Sequence, residues 1–230
     1  MNTLTLTTAR AKTITGGTGK PSKMPGLSIG LSANGCNVGS KLAQVPGSVC
    51  FDCYALKGQY QFRNVKEAHA RRLDGIYNIR WTPAMVQLIK RQTHFRWHDA
   101  GDLQSESHLI KICAVAMLTP NVKHWLPTKE YALISAYKKK GGFIPSNLVI
   151  RLSAPMVGDK LPSRVGQSSM VLASGQATLK GVFRCNASHT RKDGSTVNTI
   201  TRDNKKELGH CGDCRQCWNP NNLITAYPIH

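Results

Sequence analysis

Apolar strand-like runs alternate with helical ones along this chain, and that alternation predicts an α/β fold. We read a partial, open parallel β/α barrel of about six strands. Three observations carry the prediction. Short apolar runs recur at 27–33, 94–99, 122–128, 147–153, 169–173 and 181–184. Helical patterns with three- and four-residue spacing separate several of them. The composition, 40% hydrophobic and 19% charged over 230 residues, is that of a globular chain and excludes a disordered one.

Residues 1–25 carry Arg10, Lys12, Lys20 and Lys23 without an acid, and read as a flexible basic arm. The glycine-rich run Thr15–Lys20 is no phosphate loop, because Pro21 follows the lysine where a helix would have to start. Residues 26–185 hold the expected barrel. Its first strand, Leu27–Ala33, stops at the Asn34-Gly35 turn. From about Tyr60 to Arg80, Phe62, Val65, His69, Leu73, Ile76 and Ile79 mark one face of a helix. The next strand begins at His94 and breaks at Ala100-Gly101. Ser105 caps the helix after it, which ends at Pro120-Asn121. Val122–Thr128 is a strand, Glu130–Lys140 a helix closed by Gly141-Gly142, and Asn147–Ser153 the strand after that. Residues 186–230 are polar and cysteine-rich, and read as a metal-pinned extension packed on the barrel.

Lys and Arg number 31 against 12 Asp and Glu, giving a net charge of +19 and a pI near 9.9. An imbalance of that size predicts a polyanionic partner, nucleic acid first. Basic residues interleave with aromatics through Arg63, Arg71, Arg72, Arg91 and Arg96, beside Tyr60, Phe62, Trp81 and Trp97. Such mixtures hold strands by phosphate contact and base stacking. No apolar run reaches the ~20 residues of a membrane span, and no basic-then-apolar leader opens the chain, so a cytoplasmic protein is expected.

The eight cysteines therefore read as metal ligands rather than as a disulfide framework. Cys211, Cys214 and Cys217 form C-x-x-C-x-x-C, and Cys185 completes a set of four. An iron–sulfur cluster suits them, with zinc the alternative. Cys36, Cys50 and Cys53 are a second group, of three, which would leave one position of a 4Fe-4S cluster open to a cofactor or substrate. Spacing leaves open whether the two groups serve one cluster or two. Cys113 falls on an apolar helix face and reads as a small buried hydrophobe.

The strand end His98-Asp99-Ala100-Gly101-Asp102 is the other concentration of chemistry. In parallel β/α architectures the active site lines the C-terminal strand ends. His98, Asp99 and Asp102 there suit acid–base work or a divalent cation, hence a metal-dependent nuclease as one reading. Lys129 and Ser153 fall at equivalent strand ends, and Lys129 suits a phosphate.

Lys20–Met24, Pro46–Ala55, Phe95–Leu103 and Cys211–Trp218 together resemble a phage-encoded family, the gene product eighty-eight domain, over roughly residues 20–220. More distantly the pattern resembles radical S-adenosylmethionine (SAM) enzymes. That resemblance implies a partial barrel whose first strand leads to a three-cysteine loop, here Cys36, Cys50 and Cys53 with Tyr54 behind. It also implies a SAM amino-group contact at Gly101-Asp102, a ribose contact at Ser153, and an auxiliary cluster on Cys185, Cys211, Cys214 and Cys217. The phage family implies a bacterial host cytoplasm. Thirteen residues separate Cys36 from Cys50 where the SAM pattern has three, and Asp102 stands for its glutamate. The function expected is thus an iron–sulfur, radical-SAM-like protein acting on or binding nucleic acid. The alternatives are a non-catalytic, metal-stabilised DNA- or RNA-binding protein and the nuclease.

Overall fold

The computed structural model describes residues 6–161 and 166–229. Its strands are β1 (Leu27–Ile29), β2 (His94–Trp97), β3 (Lys123–Thr128), β4 (Leu148–Val157), β5 (Ser168–Leu172), β6 (Phe183–Arg184) and β7 (Ile224–Pro228). They form one open sheet of seven strands in the order β1-β2-β3-β4-β5-β7-β6, every pairing parallel. The sheet does not close into a barrel. The strands anticipated from sequence are all present, and the one not anticipated is β7, which lies between β5 and β6.

The helices are α1 (Thr8–Thr15), α2 (Asn37–Leu42), α3 (Arg63–Ile76), α4 (Trp81–Ile89), α5 (Glu106–Met117), α6 (Tyr131–Lys139) and α7 (Asn204–Glu207). The strands alternate sides as the pleat requires. Phe95, Trp97 and Leu126 point into the main core with Trp81, Met85, Ile89, Leu109 and Ile112 of the helices. Each fully buried side chain of this size contributes roughly 1.5–3 kcal/mol relative to exposure. Cys113 sits in this core, as a small hydrophobe would.

Two expectations change. Residues 8–15 are a helix packed on α3 and α4 rather than a free arm, with Thr7 accepting a cap bond from the Arg10 N–H and Ala11 fully buried. Residues 1–5 of that expected arm lie outside the described residues. The tail 186–230 lays Trp218 against β2 and also enters the sheet, through β7.

The opposite, inner face carries polar and aromatic residues. Arg96 lies over the Trp125 ring at 4.6 Å. Trp218, from the tail, crosses this face. Its indole N–H donates to the Phe95 carbonyl at 2.9 Å, and its ring meets His94 and Trp125 edge-on. Arg151 is fully buried beneath the tail and donates to the carbonyls of Ser168, Gln216, Asn219, Asn222 and Leu223. One guanidinium thus fixes the segment that follows the last cysteine. Among the described residues, no helix is long and apolar enough to cross a membrane.

Candidate metal centres

The loop after β1 carries the first three thiols, at the C-terminal end of the sheet. Cys36 precedes α2, and Cys50 and Cys53 follow in the return loop. Three devices hold this loop. Ser48 donates to the Leu42 carbonyl and accepts from the Phe51 N–H. The Val49 N–H donates to the Pro155 carbonyl, and the Val157 N–H to the Gly47 carbonyl. Between its Ser153 and Val157 pairings β4 slips register against β5, and the freed stretch is where Met156 pairs antiparallel with Ser48. Glu130, buried at the end of β3, accepts a bond from the Val38 N–H at the start of α2.

Gly39 makes room for the sulfurs. A β-carbon there would lie 2.9 Å from the Cys36 β-carbon, 3.5 Å from its sulfur and 3.7 Å from the Cys50 sulfur. Burial pushes the Cys36 thiol up to about 12, with the charges of Asp102, Cys50 and Cys53 adding and Lys129 opposing. Cys50 is raised by burial too, against the pull of Lys129 and with the push of Cys53 and Asp102. Five predicted residues, Cys36, Cys50, Cys53, Asp102 and Lys129, therefore share one electrostatic neighbourhood.

Asp102 is buried, and burial raises its pKa against three hydrogen bonds that favour the charged form. It accepts from the Leu103 N–H at 2.7 Å, from the Lys129 N–H at 2.8 Å, and from the Thr128 hydroxyl. Gly101 (φ 76°) is where this turn crosses the end of β1. A β-carbon there would meet the Leu31 carbonyl oxygen at 2.9 Å. The Tyr54 hydroxyl donates to the Asp99 carbonyl, and the Asp99 Oδ1 is buried without a hydrogen-bond partner. Ser153 accepts from the Ser169 hydroxyl, and its carbonyl accepts from Tyr131, a residue that itself feels Asp102 and Cys50.

His98 turns away from this rim. It has φ 55°, is buried, and packs against His108 at 5.3 Å between ring centres. Burial holds its pKa well below the usual imidazole value. Among the described residues, no three His, Cys, Asp or Glu side chains are grouped so as to hold a metal ion as they stand. Sequence reasoning missed His69. It lies opposite Asp99 across Gly30, where a β-carbon would be 2.9 Å from Asp99 Oδ1 and 3.0 Å from His69 Nε2. Its helical spacing showed a buried face but not what that face meets.

The second group gathers on the tail. The Cys185 N–H bonds the Ala226 carbonyl beside β7, and the Cys211 N–H bonds the Lys23 carbonyl. Burial pushes Cys211 up to about 12, with Cys217, Cys185 and Cys214 adding to it. Burial pushes Cys217 up to about 11, the Tyr227 hydroxyl at 3.2 Å opposing. Cys185 is raised by burial and feels Cys214. Cys185, Cys214 and Cys217 act on Cys211, and none of the four appears among the causes acting on Cys36 or Cys50. Raised thiols are protonated at neutral pH, so loading a metal at either group must release protons.

The arginines expected to hold nucleic acid differ in setting. Arg63 and Arg71 are exposed on α3, while Arg91 is exposed just after α4. Arg72 bonds the Gly17 and Gly30 carbonyls, and Arg96 lies on the inner face.

Neither curated proteins nor solved structures match this chain. A family model described as Gene product 88 matches residues 3–220, a span that holds both thiol groups and the strand-end motif. The chain belongs to the gene product 88 family.

Proposed function

We propose that this is an iron–sulfur protein of radical-SAM-like type that acts on or binds nucleic acid. One observation carries the reading: Cys36, Cys50 and Cys53 lie in the loop at the C-terminal rim of a parallel sheet, while Cys185 just after β6 and Cys211, Cys214 and Cys217 of the tail form a second group. Four thiols complete the ligand set of a 4Fe-4S cluster, and three leave one iron open. Cys36, Cys50 and Cys53 would hold the open cluster in the space Gly39 leaves. Cys185, Cys211, Cys214 and Cys217 would hold the closed one.

When bound, a cluster with an open iron supplies a site for SAM and an electron to cleave it. The surrounding residues do the rest. Asp102 and Gly101 would meet an amino group, and Ser153 would meet a ribose hydroxyl. Lys129 brings a positive charge to a phosphate or carboxylate. The net charge of +19 supports a nucleic-acid partner.

Anaerobically purified, reconstituted protein tests the reading. Iron and sulfide near eight atoms each per chain are expected from two such clusters, with an EPR signal that SAM alters. Dithionite should then yield 5′-deoxyadenosine. Zinc in place of iron, or a cluster signal indifferent to SAM, would sink the radical-SAM reading. Zinc with salt-sensitive DNA or RNA binding would establish the non-catalytic alternative.

A further inference from the structure

Two of the arginines expected to hold nucleic acid flank one buried hydroxyl. Ser28 of β1 and Arg96 of β2 are register partners, so their side chains share the inner face. Ser28 is fully buried, and its hydroxyl has no hydrogen-bond partner. Arg72 reaches the same place from α3, held by its bonds to the Gly17 and Gly30 carbonyls. The glycine-rich run before β1 lies against this point, because Gly19 pairs antiparallel with Ser28. A β-carbon on Gly19 would lie 3.4 Å from Ser28 Oγ and 3.8 Å from Arg72 Nη2. The glycine thus leaves free the place where a hydroxyl and a guanidinium converge.

Neither positive charge is neutralised there. Trp125, the next residue in the same row of the sheet, covers one face of the Arg96 guanidinium. At its edge Arg96 meets the Met24 sulfur at 3.8 Å and the Tyr54 hydroxyl, both uncharged, and its Nε is buried without a partner. Among the described residues, no carboxylate pairs with Arg72 or Arg96. Asp99 acts on both from a distance, one negative charge against two positive. A half-buried guanidinium without a counter-ion is costly, and an oxyanion bonded to it offsets that cost.

We propose that Ser28, Arg72 and Arg96 form a site for the phosphate group of a nucleotide, with Gly19 leaving room for it. This rests on the nucleic-acid part of the reading above and needs no metal. Phosphate suits the site better than carboxylate. Ser28 and Arg96 stand on neighbouring strands about 4.8 Å apart, and Arg72 comes from a helix, so the donors arrive from three directions. A tetrahedral oxyanion offers an oxygen to each, and a planar carboxylate has only two. Burial of Ser28 excludes an internal phosphodiester, which would bring its two flanking nucleotides along. The ligand is therefore a terminal phosphate, on a free nucleotide or at the end of a strand.

Calorimetry on the full-length protein at fixed ionic strength tests the site. The probes are one short single-stranded oligonucleotide with a 5′-phosphate, a 3′-phosphate or neither, together with AMP, inorganic phosphate and acetate. A terminal phosphate should tighten binding about tenfold, as charge-assisted bonds of this kind do. Inorganic phosphate should compete, and acetate should not. Ser28→Ala removes an unpartnered hydroxyl and Arg96→Met a charge without a counter-ion. Both should unfold in urea no earlier than wild type and lose most of the preference for phosphate, and Ser28→Ala decides the matter alone if Arg96→Met does not fold. AMP binding as tightly as the phosphorylated strand supports the site and makes a free nucleotide its ligand. Tighter binding of the strand supports it and makes the strand end its ligand. Equal, salt-sensitive binding of all three oligonucleotides overturns this proposal alone. So does a phosphate preference unchanged in the variants, or acetate competing as well as phosphate. No binding of AMP or of any oligonucleotide overturns the proposal together with the nucleic-acid reading beneath it.

Discussion

Glu130 Oε1 accepts a hydrogen bond from the Val38 N–H at 3.0 Å, so the end of β3 holds the helix that Cys36 begins. Glu130 is buried, and burial raises its pKa while this bond opposes the rise. Glu130→Ala leaves the first turn of α2 without that acceptor. Iron at the Cys36 group should fall by half or more, with the second group unaffected, read by EPR and iron content. Glu130→Gln keeps an acceptor oxygen and should retain most of it.

Gly39→Val places a branched side chain where the Cys36 and Cys50 sulfurs lie. The fold should survive, since Gly39 is partly exposed in a short surface helix. Iron from the rim group should be lost and that of the tail group kept. Equal iron in variant and wild type would mean that the rim thiols hold no cluster.

Arg151→Met removes the donor to five backbone carbonyls, the Ser168 carbonyl among them fully buried. The expected cost is roughly 1.5–3 kcal/mol, as for hydrogen bonds to a charged group. Urea denaturation measures it. Hydrogen exchange should rise first in 216–223, the segment that Arg151 holds.

Acid should destabilise the fold through histidines that are buried neutral. Burial holds His124 down at about 4 and His108 at about 3, against 6.5 when unfolded. The unfolded chain then binds protons that the folded chain refuses. This contribution is intact above pH 6.5 and is lost as pH falls towards 4 and 3. At ~1.4 kcal/mol per unit, His124 alone accounts for roughly 3 kcal/mol near pH 4. His124→Phe should flatten the stability profile between pH 6.5 and 4. A profile as steep as wild type would assign the loss elsewhere.

The alternation of strand and helix was legible because each strand run is apolar and each turn signal sits beside it. β7 was not. Its residues, Ile224–Pro228, follow an asparagine-rich loop and end in proline, and only pairing with β5 and β6 makes them a strand. Helix α1 was hidden for a related reason. Its threonines are weak helix formers, and packing on α3 and α4 supplies what propensity lacks. At the candidate site, Cys36, Cys50 and Asp102 were singled out by spacing and strand-end position, and the fold brings them into one neighbourhood. Glu130 and His69 were not, because their partners Val38 and Asp99 lie far away in sequence and meet them only in the fold. His98 looked like a rim residue by position alone, and its left-handed backbone turns it inward.

The place of β7 between β5 and β6 has a consequence for synthesis. Strand β6 pairs only with β7, and the Cys185 amide bonds Ala226 within it. A growing chain that has emerged only as far as Cys217 therefore displays all seven thiols but lacks the strand that seats Cys185. The rim group can assemble while translation continues, whereas the tail group must wait for residues 224–228. On the iron–sulfur reading proposed above, metal delivery to the two thiol groups would be ordered in time by the topology of one edge of the sheet.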